Sequence, residues 1–140
     1  MGKSFNVHVK LEGIPDACMR LKGARLVAGR AMARSLYKEA ETIMAQSKQL
    51  VPVKTGVLRS SGHVQPPKPA RNHNYIIDMG YGGPAVPYAV VQHEALHFKH
   101  THGEAKYLEK PTLQRSKGMS ARVGKDVRAA LFTLARKQGR

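Results

Sequence analysis

The sequence predicts an α+β domain, with a long N-terminal helix and a C-terminal helix packed on a small antiparallel sheet of about four strands. Three observations predict it. Apolar residues recur at steps of three or four from Ala17 to Leu50, and again from Val123 to Leu134, the period of a helix buried along one side. Between these stretches, short β-prone runs alternate with Gly and Pro, the punctuation of an antiparallel meander. The chain has 140 residues, of which 41% are hydrophobic, enough for one modest core. The expected boundaries within a single domain, 1–140, are an N-terminal strand over 1–15, a long helix over 16–51, antiparallel strands over 52–94, a His-rich loop over 95–108 and a C-terminal helix over 109–138.

Phe5, Val7, Val9 and Leu11 alternate with Asn6, His8 and Lys10, a half-buried strand. Gly13, Ile14 and Pro15 end it, and Asp16 suits a helix N-cap. In the long helix, Leu21, Ala24, Ala28, Met32, Leu36, Ala40, Ile43, Ser47 and Leu50 form an apolar stripe. Arg20, Arg30, Arg34, Lys38 and Lys48 fall opposite it. Gly23 and Gly29 are the places where the helix would break. Pro52 stops it by pushing Val51 out of the helical region. Thr55-Gly56 then makes a turn, with Gly56 free to adopt a positive φ, and Val57 and Leu58 open a strand that continues to Val64.

Pro66, Pro67, Lys68, Pro69 and Arg71 read as an extended basic hairpin tip that cannot pair. Tyr75–Met79 and Val86–Gln92 are the next strands, separated by Gly80, Gly82, Gly83 and Pro84. A polar His- and Gly-rich loop follows, after which Tyr107 and Leu108 re-enter the core. Pro111 suits the first turn of the last helix. There Val123, Val127, Ala130 and Leu134 form the apolar stripe, Arg115, Arg122, Lys125, Arg136 and Lys137 carry the charge, and Gly118 and Gly124 weaken the middle.

The formal charge is +15, from 24 Lys and Arg against 9 Asp and Glu. Such a field suits a polyanion or an acidic protein surface. Arg30, Arg34, Lys38, Lys68, Arg71, Arg122 and Lys125 are the candidate contacts to DNA or an acidic partner. Cys18 is the single cysteine, which excludes an intrachain disulfide and fits a reducing cytoplasm. No apolar run approaches the roughly 20 residues that span a bilayer, so no membrane partner is expected.

His93-Glu94-Ala95-Leu96-His97 matches the His-Glu-x-x-His signature of zinc peptidases, in which a helix presents two imidazoles on one face and the Glu activates water. The preceding Tyr88–Gln92 reads as a strand, which would keep the imidazoles apart. The extended signature requires glycine at position 100 and histidine at 103, where the chain has His100 and Gly103. His93, His97, His100 and His102, with Glu94 and Glu104, remain a ligand-capable patch. The favoured reading is a surface loop that hydrogen-bonds a neighbouring subunit and responds to mild acid, with no metal expected. No phosphate-cradling loop, nucleophile elbow or carboxylate pair is present, and neither an enzyme nor a cofactor is expected.

Three segments together resemble the small neck proteins of tailed bacteriophages, variously called head–tail joining, tail-completion or minor capsid/tail proteins. The first runs from Val51 to Ser61 and is similar to a Pro-Val-x-Thr-Gly-x-Leu-Arg-x-Ser signature through Pro52, Thr55, Gly56, Leu58 and Arg59. The second, Val86–Glu94, resembles a Tyr-Ala strand that closes on an acid, through Tyr88, Ala89 and Glu94. The third, Lys106–Pro111, resembles an aromatic-Leu lead into a last helix, through Leu108. The strong basic charge departs from that pattern. The resemblance implies a structural virion protein at the head–tail junction, made in the host cytoplasm. It would form a ring, expected as a hexamer or dodecamer, between portal or adaptor proteins and tail or tail-terminator proteins, with phage DNA passing through. A basic nucleic-acid-binding module is the alternative, and a zinc hydrolase using His93 and His97 a remote one.

Overall fold

The structure, a computed structural model, describes residues 14–71, 74–84, 86–96 and 103–139. The strand expected over Phe5–Leu11 lies outside the described residues. The first element, α1 (Ile14–Leu50), is a single helix of 37 residues, about 55 Å long at 1.5 Å per residue. Neither Gly23 nor Gly29 breaks it. Gly29 faces the Tyr75 ring, whose hydroxyl would lie in ordinary contact, 3.5 Å, with an added Cβ.

Two structures lie along this helix. On one side is a hairpin arm made of β1 (His63–Val64), β2 (Lys68–Pro69), β3 (Tyr75–Ile76) and β4 (Met79–Gly80). β1 pairs antiparallel with β4 and β2 with β3. The expected sheet of about four strands is therefore two two-stranded ladders in one arm. The register explains the split: Gln65 bonds opposite Asp78, and Lys68 faces Ile76, so Pro66 and Pro67 together oppose Ile77 alone. That two-against-one count is a β-bulge, placed where two prolines have no N–H to give the ladder. Beyond it Lys68 and Pro69 do pair, contrary to the unpaired tip expected there, and Ala70 N–H still bonds to Asn74 O. The arm's base packs on α1 at Gly62, where a Cβ would sit 2.6 Å from the Tyr81 ring and 2.9 Å from Met44 Sδ.

On the other side lie α4 (Glu109–Ser116) and α5 (Met119–Gln138). The single C-terminal helix expected over 109–138 is broken at Lys117, whose backbone is extended, and Gly118, at φ 72°. α5 makes the most extensive contact with α1 of any pair of elements. It runs antiparallel, with Asp126 at Ser35 and Arg122 at Glu39. Small buried residues on α1, among them Ala31 and Ser35, let the two helices approach closely. Val123 is buried, and Val127, Ala130 and Leu134 are half-buried, as the periodicity predicts.

Two further elements differ from the strand expectation. Val57–Ser60 is one helical turn, α2, entered through Gly56 at φ 80°. It curls because the Ser60 and Ser61 hydroxyls donate back to the carbonyls of Val57 and Leu58. Ala89–Glu94 is a helix, α3, with Gln92 N–H bonded to Tyr88 O and Ala95 N–H to Val91 O. The alternation of Tyr88, Val90 and Gln92 suggests a strand, but Val86 and Ala89, three apart, are the buried pair. Over seven residues the two periods are hard to separate. The apolar stripe of α1 is covered at Ala40, Ile43 and Ser47, whereas Leu21 is 70% exposed.

Candidate functional site

The principal core cluster sits at the C-terminal end of α1. Val51, Leu58, Val86, Ala89 and Tyr107 are buried together, with Leu50, Tyr81 and Leu108 against them. These residues come from three separate stretches: the turn after α1, the run leading into α3, and the approach to α4. Tyr107, 1% exposed, is the centre. Its hydroxyl donates to Ala89 O at 2.9 Å, and its ring meets Tyr81 and His93 edge-on, with centroids 5.1 and 4.9 Å away. Burial, with the Tyr81 hydroxyl adding to it, pushes the Tyr107 phenol up to about 12. Tyr81 donates to Ser47 Oγ at 2.9 Å, tying the cluster to α1.

Backbone bonds close the junction. Leu50 O, one of the unpaired carbonyls at the end of α1, accepts from Glu104 N–H at 2.8 Å. Gly103, at φ 88°, lies so close to the hinge that a Cβ would fall 2.4 Å from Pro52 N. Lys106 N–H donates to His93 O at 2.8 Å, and Lys106 takes a positive φ of 59°. Its ammonium bridges Glu94 and Glu109, and this contact, followed by that of His93, lowers the Glu94 pKa.

A surface cavity of about 260 Å³ opens over the cluster, walled by Tyr81, Ala89, Val90, Tyr107 and Leu108 with Glu94 at its edge. His93 lines it too: Nδ1 lies 2.7 Å from Glu94 Oε1, while Nε2 is buried with no hydrogen-bond partner. The His-Glu-x-x-His reading needs correction at this point. The residues before His93 are helical after all, but α3 ends at Glu94 and Ala95 is extended at ψ 91°, so the helix that would stack His93 under position 97 stops short. Glu94, at the position where that signature has its water-activating base, is paired with Lys106. His97, His100 and His102 lie outside the described residues. Among the described residues no group of three His, Cys, Asp or Glu side chains is placed to hold a metal ion.

A second polar centre lies between the long helices. Glu39 is 5% exposed and accepts from two guanidiniums, Arg115 at 2.8 and 3.1 Å and Arg122 at 2.9 and 2.8 Å. The hydrogen bonds from Arg122, then Arg115, hold its carboxyl at about 2 against the opposing effect of burial. Arg122 also donates to Arg115 O and Lys117 O, satisfying carbonyls at the end of α4. Arg122, expected as a contact to DNA or an acidic partner, is thus committed within the molecule. Lys68 is likewise engaged, with Gln65 and Asp78.

Arg30, Arg34, Lys38, Arg71 and Lys125 are exposed, and no carboxylate among the described residues pairs with them. Of the resemblance residues, Leu58 and Ala89 are buried and Leu108 half-buried in the cluster. Pro52 lies beneath Gly103, Glu94 is ion-paired, and Thr55, Arg59 and Tyr88 are exposed. Sequence reasoning missed Glu39, although its place between Leu36 and Ile43 puts it on the buried face. It also missed Tyr81 and Lys106, whose roles depend on partners far along the chain. No family model, curated protein or solved structure matches this chain.

Proposed function

We propose that this chain is a structural protein of a tailed-phage neck, forming a ring that joins the portal complex to the tail and surrounds the passing DNA. Its role in this reading is mechanical, not catalytic. One observation carries the reading: the three segments that resemble the neck family, scattered over some sixty residues, meet in a single cluster around Tyr107 at the end of the long helix. Such a junction fixes how the helix leaves the domain, and hence which surface each subunit offers the next. Identical contacts repeated around an axis close a ring. Cryo-electron microscopy of the intact particle tests the proposal: ring density for this chain between portal and tail is expected, and its location in another part of the particle, or its absence, would overturn it.

The exposed Arg30, Arg34 and Lys38, four residues apart on one face of α1, favour a second reading as a basic nucleic-acid-binding module. It predicts that the isolated monomer binds duplex DNA tightly with a steep salt dependence, whereas the neck reading predicts weak binding until the ring forms.

A further inference from the structure

We infer that the hollow between α1 and α5 is a phosphate seat, which takes a phosphodiester of a nucleic-acid backbone between Arg34 and Lys38. The inference rests on the reading in which DNA passes along this chain, and it names the surface that meets the DNA. The hollow measures about 220 Å³ and is lined by Ala31, Arg34, Ser35, Lys38, Asp126 and Ala130. Ala31 and Ser35 are buried at its floor, while Arg34 and Lys38 stand exposed, one helical turn apart. Asp126 shares the hollow and pairs with neither cation; its Oδ2 accepts from Ser35 Oγ at 2.6 Å. Every other acid among the described side chains is engaged elsewhere, Glu39, Asp78, Glu94, Glu104 and Glu109 in ion pairs and Glu41 with the Tyr37 hydroxyl. Asp16, on the same helix, lies about 27 Å from Arg34 by helix rise. An anion from outside the chain is what these two cations lack.

The chemistry of the hollow favours a phosphate of a polymer over other ligands. Its lining includes no aromatic ring on which a base could stack and no large apolar side chain, so it reads charge alone. A lone carboxylate is held differently in this protein: Glu39 is buried under two guanidinium forks. Here one fork and one point charge lie open to solvent. Arg30 continues the line, also exposed, about 6 Å before Arg34 by helix rise. Cations in a row match a ligand whose charges repeat along a strand. Arg34 supplies a planar fork for two phosphate oxygens, and Lys38 a point charge beside it. Asp126 brings an opposing charge into the same hollow. That carboxylate limits how tightly a phosphate is held, which suits a contact that must let go as DNA moves.

The test uses the full chain, as monomer or ring, with a short DNA duplex at about 50 mM salt. Arg34→Gln with Lys38→Gln, both at exposed sites, should weaken binding by about tenfold or more with unchanged circular dichroism. Lys54→Gln with Lys117→Gln, the same loss of charge at the hinge and at the α4–α5 break, should weaken it by less than about threefold. Asp126→Asn keeps an acceptor for Ser35 and should strengthen binding about threefold, whereas Glu104→Gln, the same change of charge elsewhere, should leave it within about 1.5-fold. A double variant that binds as the wild type does, or a wild type with no affinity for the duplex, overturns the seat, and the particle's neck density then judges the neck reading separately. Inorganic phosphate that binds as tightly as the duplex makes a free anion the ligand and overturns the nucleic-acid assignment. A poly-glutamate peptide that binds more tightly than the duplex, and loses that affinity in the double variant, assigns the hollow to an acidic protein and overturns it too.

Discussion

Glu39 shows how one side chain fixes the relation of three helices. A carboxylate inside α1 would be costly alone, and two guanidinium forks make it tolerable. Its carboxyl titrates at about 2 in the folded chain and near 4.3 when unfolded. The folded state therefore gains roughly 3 kcal/mol that is present above the unfolded value and lost as pH falls from about 4.3 to about 2. Acid titration of stability should show this loss, and Glu39→Ala, which strands two arginines, should remove it along with about 3–5 kcal/mol in a denaturant melt. Tyr107 works in the opposite direction. Because its phenol is pushed up to about 12, folding favours the neutral form, and stability should fall as pH rises from about 10 towards 12. Tyr107→Phe should flatten that alkaline limb and cost about 1–3 kcal/mol, since Ala89 O loses its buried donor. Tyr107 was legible in the sequence as a core residue beside Leu108, at the end of a polar stretch. Its hydroxyl's partner was not, because nothing local points to a carbonyl 18 residues earlier.

At the scale of elements, the long helical period of α1 was read correctly, whereas the short runs that form α2 and α3 were read as strands. Thirty-seven residues of helix leave many turns over which a 3.6-residue period shows itself. α2 and α3 offer one or two turns, and their β-branched valines pull the reading towards strand. In both, the deciding facts are tertiary or side-chain contacts: serine hydroxyls folding back in α2, and Tyr107 holding Ala89 O in α3. The break at Gly118 could be suspected but not located, because a glycine inside a helix is tolerated as often as it ends one. Gly103 gave no signal at all, since its tightness depends on a backbone more than 50 residues away. Gly103→Ala should be destabilising by more than about 1 kcal/mol, through its positive φ and the clash with Pro52, as a thermal melt would show. Hydrogen exchange along α1 should be uneven in the isolated chain. Amides from Ala40 to Leu50, held by the core cluster, should exchange far more slowly than those near Leu21, which has few buried contacts.

Among the described residues the molecule is a long helix with a packed junction at its C-terminal end and exposed apolar side chains, Met19 and Leu21, toward its start. Its fold class was legible as helices around a small antiparallel element, but the sheet shrank to one bulged arm because proline cannot carry the ladder. Much of the described charge stays on the surface: Arg30, Arg34, Lys38, Arg71 and Lys125 are exposed and have no carboxylate partner among the described residues. On the proposed function, affinity of the assembled ring for duplex DNA should fall steeply with salt, and replacing Arg30, Arg34 and Lys38 with Gln should reduce the slope by up to about three. Filter binding across a salt series measures both.

The bond from Glu104 N–H to Leu50 O has a consequence for synthesis on the ribosome. The end of α1 is closed by a residue made more than 50 positions later, and its long flank waits for α5, which starts only at Met119. At about 5–20 residues per second, α1 spends several seconds outside the exit tunnel with its apolar stripe unmet. A nascent chain stalled before Gly103 should therefore be captured by holdase chaperones and sensitive to protease along α1, and release of the full chain should end both.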